Sequence, residues 1–429
     1  MPRIRFRDIK NRFDNRRKGL SRLVLGSPIE DPLEVFGTSS YNALEGLAVL
    51  PSNRLAPSED RSNEGTAFDT IVVESSDGTL HHSGEFTVAF EKWNSLRLGD
   101  AGNSEKDDPN DANDIPVSSL VMKIQKTDGI GEAWFRLYDA EEAVQGHDQT
   151  MTQSSWENDL KPFLKGGANP VVFCCLRQSI RNGEETIILQ YARAFIWKWK
   201  VTDRVTISDI DGTITKSNAR GVLGTILTDQ YEKACHDGIC HFLSKLAGSQ
   251  ILDIEATSSN SSPPTNRIVY LTSRPIHLAN KTRGFLSGLT QHNESITHGL
   301  PQGPLLGFGG NLAKVLSMEV LSKTAQAFKA GELDKHIAGP FQRARQCDQS
   351  NPTESIFVAA FGNNLNDVQA YHKIGVDLDR IFVIDKNQSN ESTNEEEDGF
   401  PPHSWYSNLM STVFENGYSD DKLNELLGI

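Results

Sequence analysis

The chain has 429 residues and a mass of 47.5 kDa, enough for two or three domains, with 37% hydrophobic residues, a mean hydropathy of −0.44 and a formal charge of −14 from 43 Lys+Arg against 57 Asp+Glu. No apolar run approaches the roughly 18–20 residues that span a bilayer, which excludes an integral membrane protein. Cys174, Cys175, Cys235, Cys240 and Cys347 form no Cys-x-x-Cys pair, which argues against a disulfide framework or a cysteine zinc site and suits a reducing, cytosolic compartment.

The first segment, residues 1–23, holds nine basic side chains (Arg3, Arg5, Arg7, Lys10, Arg12, Arg16, Arg17, Lys18, Arg22) against Asp8 and Asp14, so its net charge is +7 and the remainder carries −21. Phe6, Ile9, Phe13, Leu20 and Leu23 recur at helical spacing. A helix here presents an apolar stripe beside an arginine-rich flank, a pattern that lies in a lipid interface; a basic tail, an import signal or a transit peptide are the alternatives. A basic head on an acidic body points to an anionic partner for the head and not to a nucleic-acid-binding protein. The N-terminus lacks an apolar signal-peptide core, so the sequon at Asn280 is not expected to be glycosylated. Residues 24–66, rich in Ser, Pro, Gly and Asn, read as linker.

Strand signals begin in the segment 67–138. Phe68–Glu74, an Asp77-Gly78 turn and Gly84–Phe90 predict a hairpin, and Ser119–Gln125 and Glu132–Tyr138 add two strands after an acidic loop. A polar linker is expected at 139–155, and Pro170–Leu176 and Thr186–Trp199, within the segment 156–200, supply the strands that complete a β-sandwich built from two separated stretches. From residue 201 to 429 the rhythm becomes alternating strand and helix, which predicts a parallel sheet covered by helices. The expected strands are Arg204–Ser208, Arg267–Leu271, Ile356–Phe361 and Arg380–Ile384, with helices near Asp229–Leu246 and Leu312–Phe328.

The chemistry is concentrated in Asp209-Ile-Asp211-Gly-Thr-Ile-Thr215, directly after the first of these strands. The carboxyl end of a parallel strand is where α/β sheets bind ligands. Two carboxylates two residues apart there suit a division of labour, one attacking phosphorus and the other moving protons. The competing reading of Asp-x-Asp-Gly is a turn or calcium loop. Gly212 lets the chain turn close to a phosphate. Thr272, expected to end the second strand, offers a hydroxyl to a phosphoryl oxygen; Lys329, after the helical stretch ending at Phe328, supplies a neutralising charge; and Asn363 with Asp367, after the third strand, provide oxygen ligands suited to Mg2+.

These residues resemble the haloacid dehalogenase phosphatases and, more closely, the lipin family of Mg2+-dependent phosphatidate phosphatases. The stretch Ile207–Ser217 is nearly the lipin signature; Trp197-Lys-Trp199, Thr282-Arg-Gly-Phe285, Leu300–Leu305, Phe328-Lys329, Ala360–Asn363 and Arg380-Ile-Phe382 are similar, as are Ile71–Glu74 with Asp77-Gly78 and Gly131–Phe135 upstream. Asn364 stands where many lipins have Arg, Thr272 replaces a Ser, and the loop 256–266 is longer than usual. The resemblance implies an immunoglobulin-like sandwich joined to a Rossmann-like catalytic domain, with Asp209 as nucleophile and Asp211 as general acid/base. It further implies Mg2+ bound by Asp209, the Asp211 carbonyl and Asn363 with help from Asp367, and hydrolysis of phosphatidate to diacylglycerol and phosphate. The implied location is cytoplasmic, peripheral to endoplasmic reticulum or nuclear membrane, or nuclear. Leu223–Leu227 resembles a Leu-x-x-Ile-Leu coactivator motif, but five such residues more often form the buried face of a helix after the catalytic loop. The rival readings are an inactive phosphatidate-binding module, disfavoured by the presence of both Asp209 and Asp211, and a related phosphatase acting on a soluble or protein-bound phosphate.

Overall fold

The computed structural model describes residues 4–5, 65–90, 96–98, 117–125, 132–139, 151–181, 184–216, 234–236, 238–248, 265–293, 296–308, 327–348 and 355–383. The chain divides into two compact units, 1–199 with 309–311, and 200–308 with 312–429. Apart from Ile4–Arg5, the basic head lies outside the described residues, as do Leu223–Leu227 and the expected helix 312–326.

The first unit is built of strands β1 (Ile4–Arg5), β2 (Thr66–Ala67), β3 (Thr70–Glu74), β4 (Leu80–His82), β5 (Phe86–Ala89), β6 (Leu96–Leu98), β7 (Val117–Gln125), β8 (Glu132–Asp139), β9 (Gly167–Arg181) and β10 (Glu184–Lys200). One sheet runs β4-β3-β10-β9-β7-β8 with β1 also paired to β10, and a smaller one runs β2-β5-β6. The expected hairpin at Asp77-Gly78 forms, but its second arm is β4, with Val72 opposite His82, whereas the stretch 84–90 crosses to the other sheet as β5 between β2 and β6. The turn is closed tightly: Ser75 Oγ and the Thr79 amide both donate to Asp77 Oδ1, at 2.6 and 2.9 Å. Only the three residues of β4 pair with β3 before the chain leaves for the other sheet.

Both sheets contribute to one apolar core, which holds Ala67 and Phe86 from the small sheet and Val72, Met122, Phe135, Phe173 and Ile196 from the large one. The stretch expected as polar linker up to 155 ends in this core. A short helical segment over 153–163, capped where Thr152 Oγ1 accepts from the Ser155 amide at 3.1 Å, inserts fully buried Trp156 against His82 and Phe86, at ring separations of 4.1 and 5.6 Å.

The second unit contains β11 (Arg204–Asp209), α1 (Ile239–Gly248), β12 (Asn266–Pro275), α2 (Ala279–Gly288), β13 (Thr290–Asn293), β14 (Ile296–Gly299), β15 (Leu305–Phe308), α3 (Gly339–Cys347), β16 (Phe357–Gly362), α4 (Leu365–Lys373) and β17 (Ile381–Val383). Five of these strands make a wholly parallel sheet in the order β15-β12-β11-β16-β17, while β13 and β14 form a separate hairpin. Every residue of β16 and all but the first of β11 are buried, as expected for parallel strands covered on both faces. Asp209 stands beside Leu271, and Ser208 beside Phe361, so β11 and β16 finish at one level and β12 runs on past it to Pro275.

Three boundaries differ from the sequence expectation. Thr272 does not end its strand, because β12 continues to Pro275. Of the helix expected over Asp229–Leu246, residues 229–233 lie outside the described residues, and Ile239–Gly248 is set apart from Ala234 where Cys235 bridges Thr215 and the His236 amide donates to the Ile214 carbonyl at 3.0 Å. Lys329 lies inside a helix running 327–347, interrupted by a π-turn over Asp334–Ala338, and not beyond a helix end. Among the described residues no helix is long and apolar enough to cross a membrane.

Trp156→Ala is expected to lower the unfolding free energy of the first unit by about 3–5 kcal/mol, because the ring is fully buried between His82 and Phe86; denaturant melts of the two proteins measure the difference.

Candidate active site

The loop after β11 folds on itself around a single carbonyl. The amides of Thr213, Ile214 and Thr215 all donate to Ile210 O, at 3.3, 2.9 and 3.1 Å, and the Gly212 amide donates to Thr215 Oγ1 at 3.0 Å. This tight reversal needs a positive φ at one residue, and Gly212 supplies it at 85°, where a side chain would be strained. Asp209 is left at the strand end and Asp211 on the turn, only 3% and 8% exposed.

Across the strand ends, β16 delivers its own loop. Asn364 caps α4, its Oδ1 accepting from the Asp367 amide at 3.1 Å, and Asp367 Oδ2 turns back to accept from the Asn363 amide at 2.9 Å. Gly362 is required for this closeness: a Cβ there would sit 2.5 Å from Asp367 Cβ.

Lys329 joins the two loops. Its Nζ donates to Asp209 Oδ1 at 2.7 Å and to Asp367 Oδ1 at 2.5 Å, with all three side chains buried. Burial, reinforced by the neighbouring Asp367 and Asp211 carboxylates, pushes Asp209 up to about 7 against the pull of Lys329. Burial draws the Lys329 ammonium downward, but Asp209 and Asp367 outweigh it and hold the group charged well above the ordinary lysine range. Among the described residues Asp209 Oδ2 has a single long contact, 3.5 Å from Thr213 Oγ1, so one carboxylate oxygen is oriented by Lys329 and the other is lightly held.

The residues expected to form the site are brought together in one connected network. Asn363 Nδ2 donates to the Asp211 carbonyl at 2.9 Å. Thr272, 1% exposed, joins through Arg274, whose amide donates to Thr272 Oγ1 at 3.0 Å. Both oxygens of Asp367 are engaged, by Lys329 and by the Asn363 amide, so it acts on the site through those two groups.

Among the described residues no three or more His, Cys, Asp or Glu side chains are grouped as a metal centre. One Asp209 carboxylate oxygen, the Asp211 carbonyl and the Asn363 amide oxygen, which accepts from Asn364 Nδ2 at 2.7 Å, are all hard oxygen and therefore of the kind Mg2+ takes with several waters. The Asn363 amide, whose nitrogen faces the Asp211 carbonyl, has to turn to present its oxygen. The buried charges favour a cation as well, since among the described residues Asp209, Asp211 and Asp367 are paired with Lys329 and Arg274 alone.

Arg274 is the residue to which the sequence reading gave no role. It is 3% exposed and forks onto Asp211, Nε lying 3.2 and 2.9 Å from Oδ1 and Oδ2 and Nη2 2.5 Å from Oδ1. The available signal was an arginine two residues past Thr272 in a strand otherwise buried, since a buried guanidinium requires a carboxylate nearby.

Ligands of a parallel α/β unit bind at the carboxyl edge of its sheet, and that is where the two buried aspartates stand, one held by lysine and one by arginine. Residues 152–415 match the LNS2 (Lipin/Ned1/Smp2) family, and the chain belongs to that family. Similar proteins include phosphatidate phosphatase LPIN3 of Mus musculus, 34% identical over 52% of this chain and 22% of that protein, and phosphatidate phosphatase LPIN1 of Homo sapiens, 34% identical over 52% and 20%. Phosphatidic acid phosphohydrolase 1 of Saccharomyces cerevisiae is 25% identical over 68% of this chain and 29% of its own length. The chain therefore matches less than a third of the length of each of these relatives.

Lys329→Met is expected to cost about 3–5 kcal/mol of stability at neutral pH, the cost of leaving buried carboxylates unpaired. Asp209 is raised toward 7 in the fold from 3.8, so its contribution is present at low pH and is lost as pH rises through about 7. Without Lys329 that loss steepens, and the deficit of the variant should shrink on acidification; melts at acidic and neutral pH measure it.

Proposed function

We propose that the chain is a Mg2+-dependent phosphatidate phosphatase that hydrolyses phosphatidic acid at a membrane surface to diacylglycerol and phosphate. The observation that carries the reading is Asp209, buried at the end of β11 with Oδ1 on Lys329 and Oδ2 lightly held. The activity printed in the names of its relatives, phosphatidate phosphatase, agrees with it. In this reading the second unit is a Rossmann-like haloacid dehalogenase domain, and the paired sheets of the first are an immunoglobulin-like sandwich.

Asp209 Oδ2 attacks phosphorus, and as the ester P–O bond breaks its electron pair passes to the glycerol oxygen, which takes a proton from Asp211. Diacylglycerol leaves and the phosphoryl group remains on Asp209. Water then attacks phosphorus, Asp211 takes its proton, and phosphate departs with Asp209 restored. Lys329 orients Asp209 and balances charge on the phosphoryl oxygens. The Thr272 hydroxyl, which among the described residues accepts from the Arg274 amide and donates to none, offers its proton to one of those oxygens. Mg2+, held by Asp209, the Asp211 carbonyl and Asn363, neutralises charge during transfer when bound.

The lipid surface enters through residues 1–23, where the +7 charge and the Phe6, Ile9, Phe13 stripe offset repulsion of the acidic body by anionic lipid, each basic residue contributing about 1 kcal/mol near such a surface.

Phosphate release from phosphatidate in mixed micelles tests the reading. Asp209→Asn is expected to abolish it and Asp211→Asn to lower it by roughly 10²–10⁴-fold, while EDTA stops it reversibly; near-wild-type turnover by either variant, or turnover that survives chelation, overturns the assignment. Deleting residues 1–23 should reduce liposome cosedimentation and activity on bilayer phosphatidate while sparing a short-chain analogue, and equal cosedimentation of the two proteins at low and physiological salt would remove the head from this role.

A further inference from the structure

We infer that Arg274 is a positioning residue that aims Asp211 Oδ2 at the leaving oxygen, acting as the middle member of a buried relay from Thr282 through Arg274 to Asp211; the inference rests on the phosphatase reading above.

The relay starts on α2. Thr282 is completely buried, and its Oγ1 lies 3.2 Å from Arg274 Nη1. The guanidinium passes over the Phe285 ring, 5.9 Å from its centroid, and presents its opposite edge to Asp211. Each end of the fork is thereby fixed: Nη1 by the helix, Nε and Nη2 by the carboxylate. A planar fork gripped at both edges sets the plane of the carboxylate it holds, which a lysine ammonium cannot do.

The distribution of contacts on Asp211 identifies the working oxygen. Oδ1 receives both Nε, at 3.2 Å, and Nη2, at 2.5 Å, whereas Oδ2 receives Nε alone, at 2.9 Å. A carboxylate oxygen accepts two bonds, so among the described residues Oδ1 is filled and Oδ2 keeps one position open. That position carries the proton to the ester oxygen as the P–O bond breaks, and receives the proton of the attacking water in the second half of the cycle. The amides of Thr213, Ile214 and Thr215 on the Ile210 carbonyl and the Gly212 amide on Thr215 Oγ1 fix the backbone around the same residue, so the side-chain rotation remaining to Asp211 is what Arg274 restrains.

A merely structural arginine and a positioning one differ in what their loss does to leaving groups of different basicity. An alkoxide must be protonated as it departs, whereas p-nitrophenolate leaves without help. Arg274→Lys, which keeps the charge and loses the fork, is therefore expected to lower kcat/KM, which reports the steps through departure of the alcohol, by roughly 10–100-fold on short-chain phosphatidate, with kcat/KM on p-nitrophenyl phosphate reduced by less than about 3-fold. Thr282→Val, nearly isosteric, removes only the Nη1 anchor and should show the same preference at roughly 3–10-fold. If Arg274→Lys fails to fold, as judged by circular dichroism, Thr282→Val carries the comparison. Equal losses on both esters, or undiminished alkyl-ester turnover by the folded variants, would overturn the positioning role. A wild-type protein inert toward both esters would show instead that the phosphatase reading is wrong, leaving Arg274 only as the structural partner of Asp211.

Discussion

The site depends on one buried ammonium. Lys329 reaches from its helix to Asp209 at the end of β11 and to Asp367 in the first turn of α4, tying three separate segments of chain to a single point. Desolvating three charges at once is costly, and the arrangement persists only where every partner is present and the geometry is short. This constraint propagates outward. Gly362 has no Cβ because Asp367 occupies its place, Asn364 caps the helix that carries Asp367, and the Asn363 amide closes onto the same carboxylate. The loop after β16 is shaped to bring Asp367 under Lys329.

A second buried ion pair stands beside the first. Arg274 holds Asp211 as Lys329 holds Asp209, but with different chemistry: the ammonium is a point charge shared by two carboxylates, and the guanidinium is a fork fitted to one. The two pairs give neighbouring aspartates unequal freedom. Asp209 is left one lightly held oxygen and a raised proton affinity, and Asp211 a carboxylate with a fixed plane. Unequal environments for paired carboxylates are how one site performs both attack and proton transfer. The first unit is held by different means, with aromatic and aliphatic side chains of two sheets closed around Trp156.

The region shared with the LNS2 family begins at residue 152, at the cap of the segment that buries Trp156, and includes β9 and β10 as well as the parallel sheet. Family membership is thus carried by strands of both units and not by the aspartate loop alone.

How much could be read beforehand follows from where the information resides. The strand β11, the two aspartates after it, the glycine that lets the chain turn and the order of Thr272, Lys329, Asn363 and Asp367 were all visible in the sequence, because an apolar run followed by Asp-x-Asp-Gly is local and depends on neighbours along the chain. The switch from antiparallel to parallel architecture near residue 200 was visible for the same reason, as a change in periodicity. What was not local was missed or misplaced: the second arm of the Asp77-Gly78 hairpin, the four-residue strand β15 behind two prolines, and the interruption before α1, where Cys235 bridges Thr215. Arg274 belongs with these. Its sequence neighbours mark it only as a strand residue, and its partner Asp211 lies 63 positions away along the chain. Pairing of that kind is decided when the parallel sheet sets β12 beside β11 and the cost of an unpaired buried charge selects the one carboxylate within reach.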